Sequence, residues 1–88
     1  MAVESPRIRS ILRQANRSES AGKRAAAEQL YRQALDEAPD SVGAWLGLAR
    51  VIKNQDQKEE AFRKVLVLDP ENEIALEGLN PSAIPIFQ

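Results

Sequence analysis

Residues 31–48 read YRQALDEAPDSVGAWLGL, and residues 62–79 read FRKVLVLDPENEIALEGL. The second stretch begins 31 residues after the first, and six of the eighteen aligned positions are identical, where chance predicts roughly one. The identical pairs are Arg32/Arg63, Leu35/Leu66, Pro39/Pro70, Ala44/Ala75, Gly47/Gly78 and Leu48/Leu79. An internal period of this length is typical of stacked supersecondary units rather than of one closed globule.

The apolar residues recur with helical spacing along the whole chain, and no run alternates with period two. The pattern predicts five helices, over about 6–17, 23–37, 42–54, 57–68 and 72–79. Ser5 and Ser41 are expected to cap the first and third helices, and Asp56 with Glu59 resembles a capping box for the fourth. Pro39 and Pro70 are expected to end the second and fourth helices.

The helical stripes also predict the core. Small residues should allow neighbouring helices to approach, and large aromatic residues should fill the space between successive hairpins. The predicted core residues are Ile8, Ile11, Leu12, Ala15, Ala27, Leu30, Tyr31, Ala34, Leu35, Trp45, Leu48, Ala49, Ile52, Ala61, Phe62, Val65, Leu66, Leu68, Ile74, Ala75 and Leu79.

Charge is distributed unevenly along the chain, although 12 basic and 13 acidic residues nearly cancel. Residues 1–35 carry seven basic and three acidic side chains, a net +4, whereas residues 36–88 carry five basic and ten acidic ones, a net −5. The predicted molecule is therefore electrically polar from one end to the other.

Composition argues against several classes of function. The chain has no Cys and no His, which removes disulfides, thiol nucleophiles, zinc-finger ligands and the usual general base. No nucleophile–base pair or glycine-rich phosphate loop is present, so we expect no catalysis and no cofactor. The acidic residues lie at predicted helix starts, where the helix dipole favours them, so we expect no metal site. The small basic patch lacks interleaved aromatic residues, so we expect no nucleic-acid partner.

The chain as given has no apolar run long enough to span a membrane and no signal-peptide core. A cytoplasmic location is the resulting expectation, and the absence of cysteine fits a reducing compartment.

Two halves of a helical hairpin pattern can be recognised. One is Trp45-x-x-Leu48-Ala49-x-x-Ile52, and the other is Ala27-x-x-x-Tyr31-x-x-Ala34 followed by Pro39. This pattern resembles that of the tetratricopeptide repeat (TPR) family over about residues 8–79. The resemblance implies an all-α fold of about five helices, in which antiparallel helix hairpins stack as a short right-handed solenoid.

The resemblance suggests a division of residues 1–79 into one full repeat, 8–41, a second repeat, 42–72, and a final helix, 72–79. The second repeat is shortened by about one turn, because its second helix follows that of the first after fewer residues than the family's usual repeat length. Residues 80–88 form an apolar tail containing Pro81 and Pro85, which prevent further regular helix.

In the family, the first helices of the repeats line a concave groove that holds ligand peptides. The resemblance therefore implies a partner-binding surface on the first and third helices, where Asn and cationic side chains can bind a peptide backbone and a carboxylate. The candidate residues are Arg9, Arg13, Asn16, Leu46, Arg50, Lys53 and Asn54. The structural alternative is a solvated basic face whose apolar stems pack on their neighbours.

Three functions remain open at the level of sequence. The first is a non-catalytic module that binds a protein or peptide, with an acidic ligand as one option. The second is a structural subunit or assembly factor, permanently packed in a larger complex or in a homo-oligomer formed through the C-terminal flank. The third is the N-terminal module of a longer protein.

Overall fold

Five α-helices follow one another in residues 5–79, which are the residues that the computed structural model describes. They are α1 (Pro6–Ser20), α2 (Arg24–Glu37), α3 (Val42–Val51), α4 (Gln55–Leu68) and α5 (Glu73–Leu79). Each helix packs against the next along the chain, α1 also contacts α3, and no strand occurs in this range. The all-α, helical-repeat fold predicted from the sequence is confirmed.

Side-chain caps fix the start of several helices. The Ser5 hydroxyl accepts a hydrogen bond from the Ile8 N–H at 3.2 Å, and Pro6 follows at the first helical position. The Ser41 hydroxyl likewise accepts from the Ala44 N–H at 3.2 Å. Both serine caps were predicted and are confirmed.

The first helix is longer than predicted, because it continues to Ser20 instead of ending near Arg17. The turn that ends it depends on Gly22, whose φ of +79° is a left-handed conformation that other residues adopt only with strain. The Gly22 and Lys23 N–H groups donate to the carbonyls of Glu19 and Ser18. The additional turn of α1 places Glu19 on a helix.

The boundary between α3 and α4 also differs from the prediction. Helix α3 ends at Val51 instead of Asn54, and α4 begins at Gln55 instead of Gln57. Asn54 is the N-cap, since its side-chain oxygen accepts a hydrogen bond from the Gln57 N–H at 3.0 Å. The predicted capping box of Asp56 and Glu59 is therefore wrong, because both residues already lie within α4.

The core consists of three apolar clusters between adjacent helices. The first joins α1, α2 and α3, the second joins α3, α4 and α5, and the third lies where the N-terminal part of α1 meets α2 and α3. Four alanines on three helices are fully buried, namely Ala15, Ala27, Ala34 and Ala49.

Two aromatic rings each cover a glycine of the next helix. The ring of Tyr31 on α2 lies so close to Gly47 on α3 that a Cβ there would overlap it, and Phe62 on α4 covers Gly78 on α5 in the same way. The second pair repeats the first at the same interval as the two sequence stretches quoted above, so these contacts give the sequence period a direct structural cause.

Eight predicted core residues are less buried than expected: Leu68 and Ile74 are exposed, and six are only partly buried, namely Leu12, Leu30, Leu35, Trp45, Leu66 and Leu79. Trp45 is only partly buried, although it packs against two of the clusters and donates from Nε1 to the Pro39 carbonyl at 2.8 Å. Leu68, the last residue of α4, is 39% exposed, and Ile74 in the first turn of α5 is 54% exposed. No further helix covers them within residues 5–79. The predicted tail, 80–88, lies outside the described residues.

Candidate functional site

The predicted binding surface begins on one side of α1. Arg9, Arg13 and Asn16 follow one another at spacings of four and three residues, which places them on the same side of a helix. All three are exposed at the residue level, and neither arginine forms an ion pair within residues 5–79. These two cations are therefore available to an external anion.

A polar network joins α1, α2 and α3 at the end of this surface. The Arg50 Nε donates to one oxygen of Glu19 at 2.8 Å, and its Nη2 donates to the other oxygen at 3.2 Å. The same Nη2 approaches the Asn16 Oδ1 at 3.4 Å and the Tyr31 hydroxyl at 3.2 Å. Two predicted site residues, Asn16 and Arg50, are thus brought together, and their partners within the protein are Glu19 and Tyr31.

The single hydroxyl proton of Tyr31 has two acceptors within reach. Its oxygen lies 2.9 Å from Glu19 Oε1 and 3.2 Å from Asn16 Oδ1, and one hydroxyl donates only one hydrogen bond at a time. The tyrosine therefore supports the carboxylate from the buried side, while Arg50 binds it from the exposed side.

The network lowers the pKa of Glu19 below its usual value, chiefly because Arg50 donates a hydrogen bond to the carboxylate. The same bond raises the pKa of Arg50. Burial, followed by the hydrogen bond to Glu19, raises the pKa of Tyr31, so the phenol stays neutral. Near neutral pH, the arrangement is one carboxylate held between a guanidinium and a phenol.

An open pocket of about 350 Å³ lies beside this network. It is lined by Glu19, Gly22, Arg24, Arg50, Val51 and Lys53. Three of these side chains are cationic and one is anionic, so the pocket presents net positive charge. Arg50 is 45% exposed at its rim, and its Nη1 makes no hydrogen bond to the described residues. The pocket can therefore accept an additional carboxylate or other anion.

The remaining predicted site residues have different surroundings. Lys53 is exposed in the α3–α4 turn and lines the pocket with Arg50. Asn54 is the N-cap of α4, and its side-chain oxygen accepts a hydrogen bond from the Gln57 N–H. Leu46 is partly buried against the cluster that joins α3, α4 and α5. Arg9 and Arg13 are not among the pocket residues, so the predicted set divides into a cationic side of α1 and a pocket at the end of α3.

Sequence reasoning missed Glu19 and Arg24 as parts of this surface, and Tyr31 as a buried partner of its polar network. Tyr31 was predicted only as a core residue, and its ring does lie in the core. Glu19 falls beyond the predicted end of α1, so no face could be assigned to it. Asn16 and Arg50 are separated by the usual repeat length of the family, which was the available signal that they are equivalent positions.

Other kinds of site find no support in the described part of the chain. Residues 5–79 contain no group of three or more acidic side chains arranged to hold a metal ion. None of the five helices described is long and apolar enough to cross a membrane.

Comparison with known proteins gives one match. A family model described as tetratricopeptide repeat matches residues 19–72, which is more than half of the chain. No curated protein and no solved structure matches. Tetratricopeptide repeats generally mediate protein–protein interaction, and the family is generally non-catalytic. The internal sequence period, the ring–glycine contacts and the family match agree that this chain belongs to the tetratricopeptide repeat family.

Proposed function

We propose that this protein is a non-catalytic module that binds a protein or peptide segment on the exposed surface of α1 and α3. The observation that carries the proposal is the set of free cations beside an ordered polar network. Arg9 and Arg13 have no ion-pair partner in residues 5–79, and neither do Arg24 and Lys53 at the pocket. Unpaired cations also occur elsewhere in this range, so it is the position of these four beside the network that favours a ligand that brings carboxylates.

The Asn16–Glu19–Tyr31–Arg50 network has a structural role in this proposal. It fixes the relative positions of α1 and α3, so the surface is formed before a ligand arrives. Preorganisation lowers the entropic cost of binding. Arg50 retains an exposed edge for an acidic group, and Lys53 lies beside it at the pocket.

The proposal includes the limits of the module and its cellular compartment. The module comprises residues 1–79, with repeats at 8–41 and 42–72 and a final helix at 72–79, and residues 80–88 are its tail. A reducing compartment such as the cytoplasm suits a chain without cysteine.

The proposal can be tested with peptides selected from a displayed library of extended sequences. Binding of a selected peptide would be measured by fluorescence anisotropy against the full chain, the double variant Arg9→Ala/Arg13→Ala, and a matched control, Lys58→Ala/Lys64→Ala. The control removes the same charge from α4, away from the proposed surface. We expect the first double variant to weaken binding about tenfold, equivalent to ~1.4 kcal/mol, and the control to have little effect.

Salt provides the second arm of this test. Exposed charges are screened beyond roughly 10 Å at 0.1 M salt, so affinity for an acidic peptide should fall as salt rises. If the selected peptides ignored both the arginine substitutions and salt, recognition would lie elsewhere on the protein.

A permanently assembled subunit of a larger complex is the second candidate. It is favoured by the exposed apolar side chains at the C-terminal end, of which Val67 is 77% exposed. Sedimentation velocity together with a thermal melt distinguishes the two functions, since a binding module should be a stably folded monomer, whereas a subunit without its partners should aggregate or melt at low temperature.

A further inference from the structure

The two ring–glycine contacts define equivalent positions on α3 and α5. Tyr31 covers Gly47 and Phe62 covers Gly78, so residues 42–48 of α3 have counterparts one sequence period later, at 73–79 on α5. The chain therefore contains its own comparison between a helix that another helix covers and one that no described helix covers.

On α3, the side facing the next unit is partly covered. Val42, Trp45 and Leu46 pack against the cluster that α4 and α5 contribute to. Trp45 and Leu48 also line a hollow whose opposite wall includes Ala61 of α4. A helix in the position of α4 is thus what covers this side of the repeat.

On α5, the counterparts are Glu73, Leu76, Glu77 and Leu79. Leu76 is 47% exposed, and no described helix follows it. In the first copy of the repeat, Asp36 of α2 and Trp45 of α3 line one hollow to which α4 does not contribute. One sequence period later, Val67 of α4 and Leu76 of α5 occupy the matching places, so Val67 lies at the margin of the surface that a helix placed like α4 would cover. We call Val67 and Leu76, with Glu73 and Glu77 beside them, the C-terminal face.

The opposite end of the molecule is polar. When α1 is aligned on α3 so that Asn16 matches Arg50, Gly47, Leu48 and Val51 correspond to Arg13, Gln14 and Arg17. A polar side of this kind is compatible with exposure to solvent at the end of a stack of repeats. The C-terminal face instead has Val67 where the first copy of the repeat has an aspartate.

We propose that the C-terminal face binds an amphipathic α-helix from a partner protein, with Lys or Arg residues beside its apolar stripe. The bound helix would occupy the place that α4 occupies on α3. Its cations would meet Glu73 and Glu77, which stand where α3 has the apolar residues Val42 and Leu46. This surface is separate from the one proposed above on α1 and α3.

Apolar and cationic side chains together favour a partner helix over two other occupants, the tail of this chain and a second copy of it. Residues 80–88, NPSAIPIFQ, contain no cation to meet the two glutamates, and two of them are prolines. In a second copy of this chain, most of the apolar surface of α1–α4 is buried in its own core. The surface left to contact the C-terminal face would be the C-terminal face of that copy. Such a contact would place glutamates against glutamates, which is unfavourable.

The test uses the full chain and a synthetic peptide that copies residues 53–70, with Glu59→Lys and Glu60→Lys added to give it a basic edge. The native-sequence peptide serves as the charge control. Binding would be followed by amide chemical shifts of the labelled protein. We expect saturable shifts in α5 and at the end of α4, and tighter binding of the lysine peptide than of the native one at low salt.

Substitutions on the protein locate the contact. Leu76→Lys should weaken binding at least about tenfold, and Leu76→Met should preserve it. Because Leu76 is half exposed, both variants should keep the melting temperature of the parent within a few degrees. The double variant Arg9→Ala/Arg13→Ala should bind the helical peptide normally, so failure of this inference can be distinguished from failure of the proposed function.

Four results would overturn the inference. They are the absence of shifts in α5 with the peptide at about 1 mM, shifts confined to α3, self-association of the free protein that Leu76→Lys abolishes, and binding that appears only after deletion of residues 82–88. The second result would indicate exchange with the protein's own α4, the third a second copy, and the fourth the chain's own tail.

Discussion

Gly47 shows how one missing Cβ positions two helices. Because Gly47 has no side chain, the ring of Tyr31 can occupy the space where a Cβ would lie, and α3 can pack directly against α2. Gly47→Ala should therefore destabilise the fold by about 1–3 kcal/mol, the usual cost of overpacking, despite the better helix propensity of alanine. Urea denaturation followed by circular dichroism measures this, with Gln33→Ala on the exposed side of α2 as the control. Equal stability of the two variants would contradict the close contact.

Glu19 gives the protein a predictable response to acid. Its pKa is lower in the folded state because of Arg50, so its contribution to stability is present above its ordinary pKa of 4.5 and is lost as pH falls through the lowered value. Glu19→Gln should make the melting temperature less dependent on pH below about 4.5. Glu37→Gln is the comparison, since the pKa of Glu37 is also lowered, by Arg7, but this carboxylate is more exposed. An equal change in both variants would show that the Tyr31–Arg50 network adds nothing.

At the scale of single residues, the sequence predicted which residues lie on the surface better than it predicted which side chains they contact. Arg50 and Asn16 were both expected on the surface, and their proximity follows from the repeat length. Their contacts with Glu19 and Tyr31 could not be predicted, because these depend on how far α1 extends and on the rotation of α2. A long polar side chain leaves no period in the sequence, whereas a buried apolar stripe does.

The α3–α4 turn shows the same limit at the scale of helices. Asn54 and Asp56 are both residue types that favour an N-cap, so the cap position depends on where α3 ends. Asn54→Ala should cost about 1 kcal/mol, because it leaves the Gln57 N–H without its side-chain acceptor. Asp56→Ala should cost only ~0.3–1 kcal/mol, the value of an acidic residue in the first turn. Thermal melts of the two variants, with Asn54→Ser as the conservative control, would settle the order, and a larger loss for Asp56→Ala would restore the capping box.

Helix number and order were predictable because each of α1–α4 has a long apolar stripe, and proline or glycine stands at or close to most of the turns. Helix ends were predicted less well, with errors of up to three residues, as at Ser20 and Val51. The predicted burial of Leu68 and Ile74 was wrong, because an apolar stripe indicates which side of a helix is apolar but not whether another element covers it.

For the molecule as a whole, Trp45 connects separate parts of the core. It packs against the cluster shared by α1, α2 and α3 and also against the one shared by α3, α4 and α5. Trp45→Ala should lower stability by about 3 kcal/mol, the low end for a large aromatic truncation, because the side chain is only partly buried. In urea, the loss should appear as a lower midpoint of one transition. Two separate transitions would show that the repeats unfold independently.

The contact of each aromatic ring with a glycine 16 positions later (47 − 31 and 78 − 62) also bears on how such a protein can grow. A duplicated repeat segment carries both its own ring and its own glycine. Its glycine can therefore accept the ring of the preceding unit, and its ring can cover the glycine of the following unit. Lengthening by whole units preserves that fit, whereas a single-residue insertion between Phe62 and Gly78 would take the glycine out of register with the ring. Gene duplication of a whole unit can therefore extend the array in one step and keep this contact between successive repeats.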